Sequence, residues 1–215
     1  MKRYGLGVGV AGLTFLVLVF AAAYCCGEGA VTDEFRQQFI KDFKRTGLNT
    51  TPEDARLLRI LIEAAKAKRG VEVGSATGFG AINMGIGFER NGGRLDTIDI
   101  DPKMVKASRE NVQKMGLEKV VTVIEGNALK VLPTLEGEID FVFLDAVKED
   151  YAKYFKLISP RLKSGAVVVA DNAIRSAGAM KEFLDAMRAS PDWEMVIVQV
   201  SQEKKDGMAV CYKVR

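Results

Sequence analysis

The feature that most constrains this chain is an alternation that begins near residue 71. Short runs of Val, Ile, Leu and Phe are separated by amphipathic stretches with helical spacing. Phe141-Val142-Phe143-Leu144 and Val167-Val168-Val169 are apolar at every position. A strand with one wet face would alternate, so these strands are buried on both faces, as in a parallel sheet covered by helices. The reading places strands at 71–73, 94–98, 120–124, 139–144 and 166–170, with helices at 80–89, 102–115, near 129, at 151–158 and at 177–189. Strands at 194–200 and 208–214 close the chain as a hairpin turning near Lys205-Asp206-Gly207. The expected fold is α/β: a seven-stranded, mostly parallel sheet with helices on both faces and an antiparallel C-terminal hairpin. Two helices precede it, at 33–45 and from Thr51-Pro52 to about Lys68. Thr51 is a capping hydroxyl, Pro52 suits the first helical position and two acids follow.

Residues before this domain have a different character. No charge occurs between Arg3 and Glu28, and Gly5–Cys26 is a 22-residue apolar run. At about 1.5 Å per residue it can cross a hydrocarbon core of about 30 Å. Residues 1–27 are therefore read as a separate hydrophobic segment and 28–215 as the folded domain. An uncleaved membrane anchor with a cytoplasmic domain is the favoured reading. A signal peptide cleaved after Ala23 and an unimportant or misassigned start are the alternatives.

The formal charge is +3. Setting aside Lys2 and Arg3 leaves 29 basic side chains against 28 acidic ones, so no phosphate-tracking surface and no nucleic-acid partner are expected. Histidine is absent, which excludes His-based zinc sites, Ser-His-Asp triads and Cys-His dyads. Three cysteines without metal or framework spacing read as unpaired thiols.

In parallel sheets ligands bind beyond the carboxyl ends of the strands, so the residues there matter most. The first strand runs into Gly74-Ser75-Ala76-Thr77-Gly78-Phe79-Gly80. Such glycines let a ligand approach the backbone, and the next helix offers free N–H groups. The spacing is not the dinucleotide fingerprint, and a plain strand-to-helix turn would look similar. The second strand ends at Asp99, with Asp101-Pro102 forming a helix cap. Asp99 is not needed as a cap and suits the two hydroxyls of a ribose. The fourth strand ends at Asp145 and the fifth at Asp171-Asn172. Neighbouring strands lie about 4.8 Å apart, so these three side chains can converge. Two carboxylates and an amide oxygen form a hard, all-oxygen set suited to Mg²⁺, with Mn²⁺ or Ca²⁺ as alternatives; a set of loop caps would use the same residues. Lys148, three residues after Asp145, is a candidate general base beside a dication, or else a solvated lysine ahead of a helix.

With these residues the chain resembles the metal-dependent class I O-methyltransferases, the group of catechol and caffeoyl-CoA O-methyltransferases. The resemblance covers about residues 48–215. It is carried by Asn49-Thr50-Thr51, Val71-Glu72-Val73-Gly74 with Gly78 and Gly80, Asp99 with Pro102, Gly126-Asn127-Ala128, Phe143-Leu144-Asp145-Ala146 with Lys148 and Tyr151, and Ala170-Asp171-Asn172. It implies a Rossmann-like class I fold with S-adenosylmethionine (SAM) as methyl donor. By the same resemblance Glu72, Gly74, Ser75 and Gly80 surround the methionine part of the cofactor, with Thr50 covering it. Asp99 takes the ribose hydroxyls, Ala128 lies by the adenine and Asp145 also borders the cofactor. Asp145, Asp171 and Asn172 hold the metal, and Lys148 is the catalytic lysine. A homodimer with residues 33–50 at its interface is implied as well.

The implied acceptor is a small hydroxylated aromatic, catechol-like or phenylpropanoid. Ala146 and Val147 stand where the catechol enzyme carries bulky aromatic and imidazole groups, so a more open pocket is expected. The Ser176 region and the stretch Gln199–Asp206 should border the acceptor, and both differ from the two named enzymes. Rival readings are a methyltransferase acting on nitrogen or on a macromolecule, a nicotinamide dehydrogenase, and a membrane-tethered binding protein on the same fold.

Overall fold

Helix starts follow from local chemistry. In α1 (Asp33–Asp42) the Thr32 hydroxyl accepts the Phe35 N–H at 3.2 Å, and in α2 (Pro52–Ala64) Thr51 accepts from Asp54 at 3.2 Å. These bonds satisfy N–H groups that a helix end leaves open. Both helices are shorter than expected. Phe43 already has an extended ψ of 126°, and Lys66, with φ +51°, turns the chain out of α2. The computed structural model describes Met1 and residues 31–215. Apart from Met1, the hydrophobic segment expected at 1–27 therefore lies outside the described residues. Among those described, no helix is long and apolar enough to cross a membrane. The chain divides into Met1–Val31 and Thr32–Arg215, and all the elements below belong to the second unit.

They follow in the order β1 (Arg69–Val73), α3 (Phe79–Asn91), β2 (Arg94–Asp99), α4 (Pro102–Lys114), β3 (Val121–Glu125), α5 (Ala128–Val131), β4 (Ile139–Leu144), α6 (Tyr151–Ile158), β5 (Leu162–Ala170), α7 (Lys181–Ala189), β6 (Trp193–Val198) and β7 (Met208–Lys213). Two further boundaries, both starts, differ from the sequence reading by four residues each. β5 starts at Leu162, because its polar first half still pairs beside β4 through an irregular register. α7 starts at Lys181 and not at Ala177; residues 173–180 close as successive turns around Gly178, a poor helix former.

The seven strands lie in the order β3-β2-β1-β4-β5-β7-β6, with β1 to β5 parallel and β7 antiparallel to both neighbours. All six residues of β4 are buried: the apolar run from Phe141 to Leu144 as expected, and Asp140 because its carboxylate accepts the N–H groups of Lys68 and Arg69, whereas the edge strands β3 and β6 alternate. One core packs around Tyr151, Ile158, Phe183 and Leu184 on the face covered by α6 and α7. The other packs around Leu58, Ile62, Phe88 and Phe141 on the face covered by α2 and α3. Each fully buried side chain of this size contributes about 1.5–3 kcal/mol.

The chain steps from β1 outward to β2 and β3, then returns to the other side of β1 with β4. A crevice opens beyond the carboxyl ends of the strands at such a reversal. Val73 pairs with both Ile98 and Leu144, and Leu144 pairs with Ala170. The next residues along these strands, Asp99, Gly74, Asp145 and Asp171, therefore emerge in one row. Backbone bonds extend the ladder to that row: Gly74 N–H to Ile98 (2.8 Å), Asp145 N–H to Val73 (2.8 Å) and Asp171 N–H to Leu144 (2.9 Å).

Candidate active site

A cleft of about 570 Å³ lies over this row. Gly74, Asp99, Ala128, Asp145, Lys148, Asp171 and Asn172 all line it, together with Asn49 and Lys204. Seven of the residues singled out in the sequence are thus brought together. Thr50, Glu72, Ser75 and Gly80 lie outside the lining, buried behind the turn.

On the β1–β2 side the backbone is tightly specified. Gly74 has φ +98°, and a Cβ there would collide with the Asp145 carbonyl, so only glycine fits. Ala76 has φ +44°, a conformation costly for a residue with a side chain. Asp99 stabilises it. Its Oδ2 accepts the N–H groups of Ser75 (3.1 Å) and Ala76 (2.8 Å), and its Oδ1 accepts that of Asp101 (3.0 Å). The residue read as a ribose ligand therefore also holds the glycine turn. Asp101 caps α4 as expected, accepting from Lys103 at 2.8 Å.

Behind the turn Glu72 is 1% exposed and accepts the Thr97 hydroxyl. Burial pushes its carboxyl up to about 8, and Asp145 and Asp99 add to the rise against that hydrogen bond. A Cβ on Gly80 would lie 2.6 Å from Glu72 Oε1 and 3.6 Å from Thr50, so these three residues share one small space. Asn49 Nδ2 and Thr50 Oγ1 are buried with no hydrogen-bond partner among the described residues. Buried polar groups are nearly always paired, so these two, with Glu72, fit the polar end of a ligand such as an amino acid moiety. Ala128 opens α5, capped by Asn127, which accepts the Leu129 N–H at 2.8 Å.

The β4–β5 side is built on side-chain charge. Lys148 Nζ donates to Asp145 Oδ1 at 2.8 Å and to the Tyr151 hydroxyl at 2.9 Å; that hydroxyl donates to the Leu144 carbonyl at 2.8 Å. Tyr151, fully buried, thus fixes the lysine from below. Burial raises the Asp145 carboxyl above the carboxylate range, and Asp171 raises it further; Lys148 and Lys204 oppose the rise. Asn172 has φ +63°, a left-handed conformation that Asn tolerates. Its Nδ2 donates to Asp206 Oδ2 at 3.0 Å, leaving Oδ1 unengaged among the described residues. Asp206 also accepts the N–H groups of Ile174, Arg175 and Gly207, and these bonds hold its carboxyl below the ordinary range against burial.

Asp145, Asp171 and the free amide oxygen of Asn172 form a donor set that fits a divalent cation: all oxygen, with crowded negative charge. The sequence reading did not single out Lys204. Its Nζ bonds both carboxylate oxygens of Asp171 and lies 3.4 Å from Asp54 Oδ2. Burial acts to lower its pKa, but Asp171 and Asp54 outweigh that and raise it. In sequence, Lys204 is one of two lysines before a hairpin turn, and nothing local distinguishes it from a solvated charge.

The O-methyltransferase family model matches residues 22–212. A catechol O-methyltransferase of Niastella koreensis is 32% identical over 180 residues, covering 76% of this chain and 81% of the relative. One of Mycobacterium tuberculosis is 37% identical over 135 residues, covering 62% and 61%. The crystal structure of cofactor-bound Rv0187 from MTB superposes with a TM-score of 0.73 at 29% identity, covering 82% of this chain and 87% of that one. A seven-stranded sheet with its reversal at β1 and β4, a cleft over that reversal and these matches lead to one assignment: the chain belongs to the O-methyltransferase family and is a SAM-dependent O-methyltransferase.

Proposed function

We propose that the enzyme methylates a hydroxyl of a small catechol-like or phenylpropanoid acceptor, with a divalent metal, foremost Mg²⁺, at Asp145, Asp171 and Asn172. The observation that carries this reading is the adjacency of these residues at the ends of β4 and β5, with Lys148 Nζ 2.8 Å from Asp145. Relatives named catechol O-methyltransferase support the acceptor class.

When bound, the metal would lower the pKa of an acceptor hydroxyl and hold two vicinal oxygens in a fixed orientation. SAM supplies an activated methyl on a sulfonium, so the chain's own work is position and charge. Glu72, with the unpaired groups of Asn49 and Thr50, would hold the amino acid end of SAM, and Asp99 the ribose. Gly74, Ser75 and Gly80 leave room for it, and Ala128 borders the adenine. Lys148, after giving up its own ammonium proton to solvent, would accept the acceptor's proton at Nζ. Tyr151 and Asp145 keep that nitrogen at the cleft, and the pocket beside it is open because Ala146 is small and Val147 is exposed.

A screen of catechols, phenylpropanoids and monophenols with SAM and Mg²⁺, Mn²⁺ or Ca²⁺ tests the reading. Methylation restricted to vicinal diols in the presence of metal is expected. Equal turnover of monophenols would contradict it. The proposal extends to a homodimer through residues 33–50, read out by light scattering. It also includes membrane attachment through residues 1–27, read out by fractionation of full-length and truncated chains.

A further inference from the structure

Lys204 sits on the loop joining β6 to β7, between two buried anchors. Ser201 is one, and its Oγ accepts the Lys204 N–H at 3.3 Å. Asp206 is the other, tied to Asn172 and to the backbone of residues 174 and 175. Of the residues between them, Lys204 lines the cleft. Glu203 is exposed and, among the described residues, paired at 3.2 Å only with Arg45, itself on another loop. Lys205 has φ +48°, so the backbone beside Lys204 holds a conformation that residues with side chains seldom adopt. Lys204 alone turns inward, its side chain 15% exposed.

Its ammonium engages both oxygens of Asp171 and faces Asp54. Mg²⁺ takes carboxylate oxygens at about 2.0–2.1 Å and requires near-octahedral space around itself. An ammonium that bridges both oxygens of one ligand occupies that space, and two cations in a buried site repel each other. Lysine suits temporary occupancy, being a point charge on a flexible four-carbon stem. Asp206 attaches the loop to the Asn172 segment through bonds that do not involve Lys204.

We propose that Lys204 is a tethered counter-cation that occupies the metal position at Asp171 and must swing out before a divalent ion can bind. This rests on the metal reading above and adds to it a residue that sets metal affinity. Lys204 balances the buried carboxylates when the site holds no ion, and the divalent ion takes over that role when it binds.

Calorimetric titration with Mn²⁺ on the full chain tests this, comparing wild type, Lys204→Met, Lys204→Arg and the neighbouring Lys205→Met. Lys204→Met should bind Mn²⁺ at least about tenfold more tightly than wild type, and the other two within a few-fold of it. A second readout needs no variant. Acetylation of Lys204 by an amine-reactive reagent, followed by mass spectrometry, should rise several-fold in saturating Mn²⁺ while Lys205 stays constant. Equal or weaker Mn²⁺ binding by a folded Lys204→Met, or Lys204 labelling that Mn²⁺ leaves unchanged, overturns the proposal. Wild-type Mn²⁺ binding with either of those results leaves the metal reading standing. Absence of Mn²⁺ binding in both proteins removes the metal reading and this inference together.

Discussion

The two halves of the cleft meet at Gly74 and Asp145, yet they are built by different means. On the β1–β2 side the backbone satisfies its own carboxylate: three N–H groups surround Asp99, and the glycine turn is fixed in a conformation few other residues allow. On the β4–β5 side Asp145 and Asp171 are balanced by Lys148 and Lys204, two long side chains. A backbone-built site is already organised before its ligand arrives, so little ordering cost falls on binding. A site balanced by side-chain ammonium groups can exchange one cation for another. The first arrangement suits a cofactor common to many acceptors, and the second suits a metal and a variable acceptor.

Substitutions should separate the halves. Asp145→Ala is expected to have the largest effect, taking turnover below detection while SAM affinity by calorimetry stays within about threefold. A parallel loss of SAM binding would mean that the halves are not independent. Lys148→Ala should lower kcat by about 10²–10⁴-fold with a smaller change in KM. An unchanged pH–rate profile in this variant would remove the base role. Gly80→Ala acts on the other half. Its Cβ meets Glu72 Oε1 at 2.6 Å, so SAM affinity should fall by about 1–3 kcal/mol while metal binding is unaltered.

The smallest effect is a proton. With its carboxyl raised to about 8, Glu72 is mostly neutral at pH 7. The ammonium of SAM favours the carboxylate, so binding at pH 7 should release up to about one proton. Calorimetry in buffers of different ionisation enthalpy measures this, and no release should occur well above pH 8. The same shift has a sign for stability. A carboxyl raised in the folded state keeps its proton longer there, so the ligand-free protein loses this contribution as pH climbs from about 4.5 towards about 8.

What the sequence revealed divides along the same line. Strands buried on both faces leave apolar runs such as the four residues from Phe141 to Leu144, so β4 was legible; a glycine turn and strand-end acids are local patterns too. β5 was read short because its polar first half carries no such run. The stretch that holds Lys204 and Asp206 was expected to border the acceptor, and Lys204 does line the cleft, but the pairing of Lys204 with Asp171 and Asp54 was not legible. Lys204 lies 33 residues from Asp171 and 150 from Asp54, and only the packing of a hairpin loop against α2 and the end of β5 brings them together. The task Asp99 performs for the turn was hidden for a similar reason, since its partners are backbone N–H groups of the turn that follows β1, more than twenty residues away. Chemistry held within one segment shows in a sequence, and charge balance assembled across segments does not.

The central claim, that the row of strand ends divides into a cofactor half and a metal half, is tested most directly by one assay. Methyl transfer from SAM to catechol is followed in EDTA and again after Mg²⁺ is restored in excess, with SAM binding measured in both conditions. The account predicts that transfer is lost in chelator and returns with Mg²⁺ while SAM binding stays nearly constant. Full transfer in EDTA would contradict it.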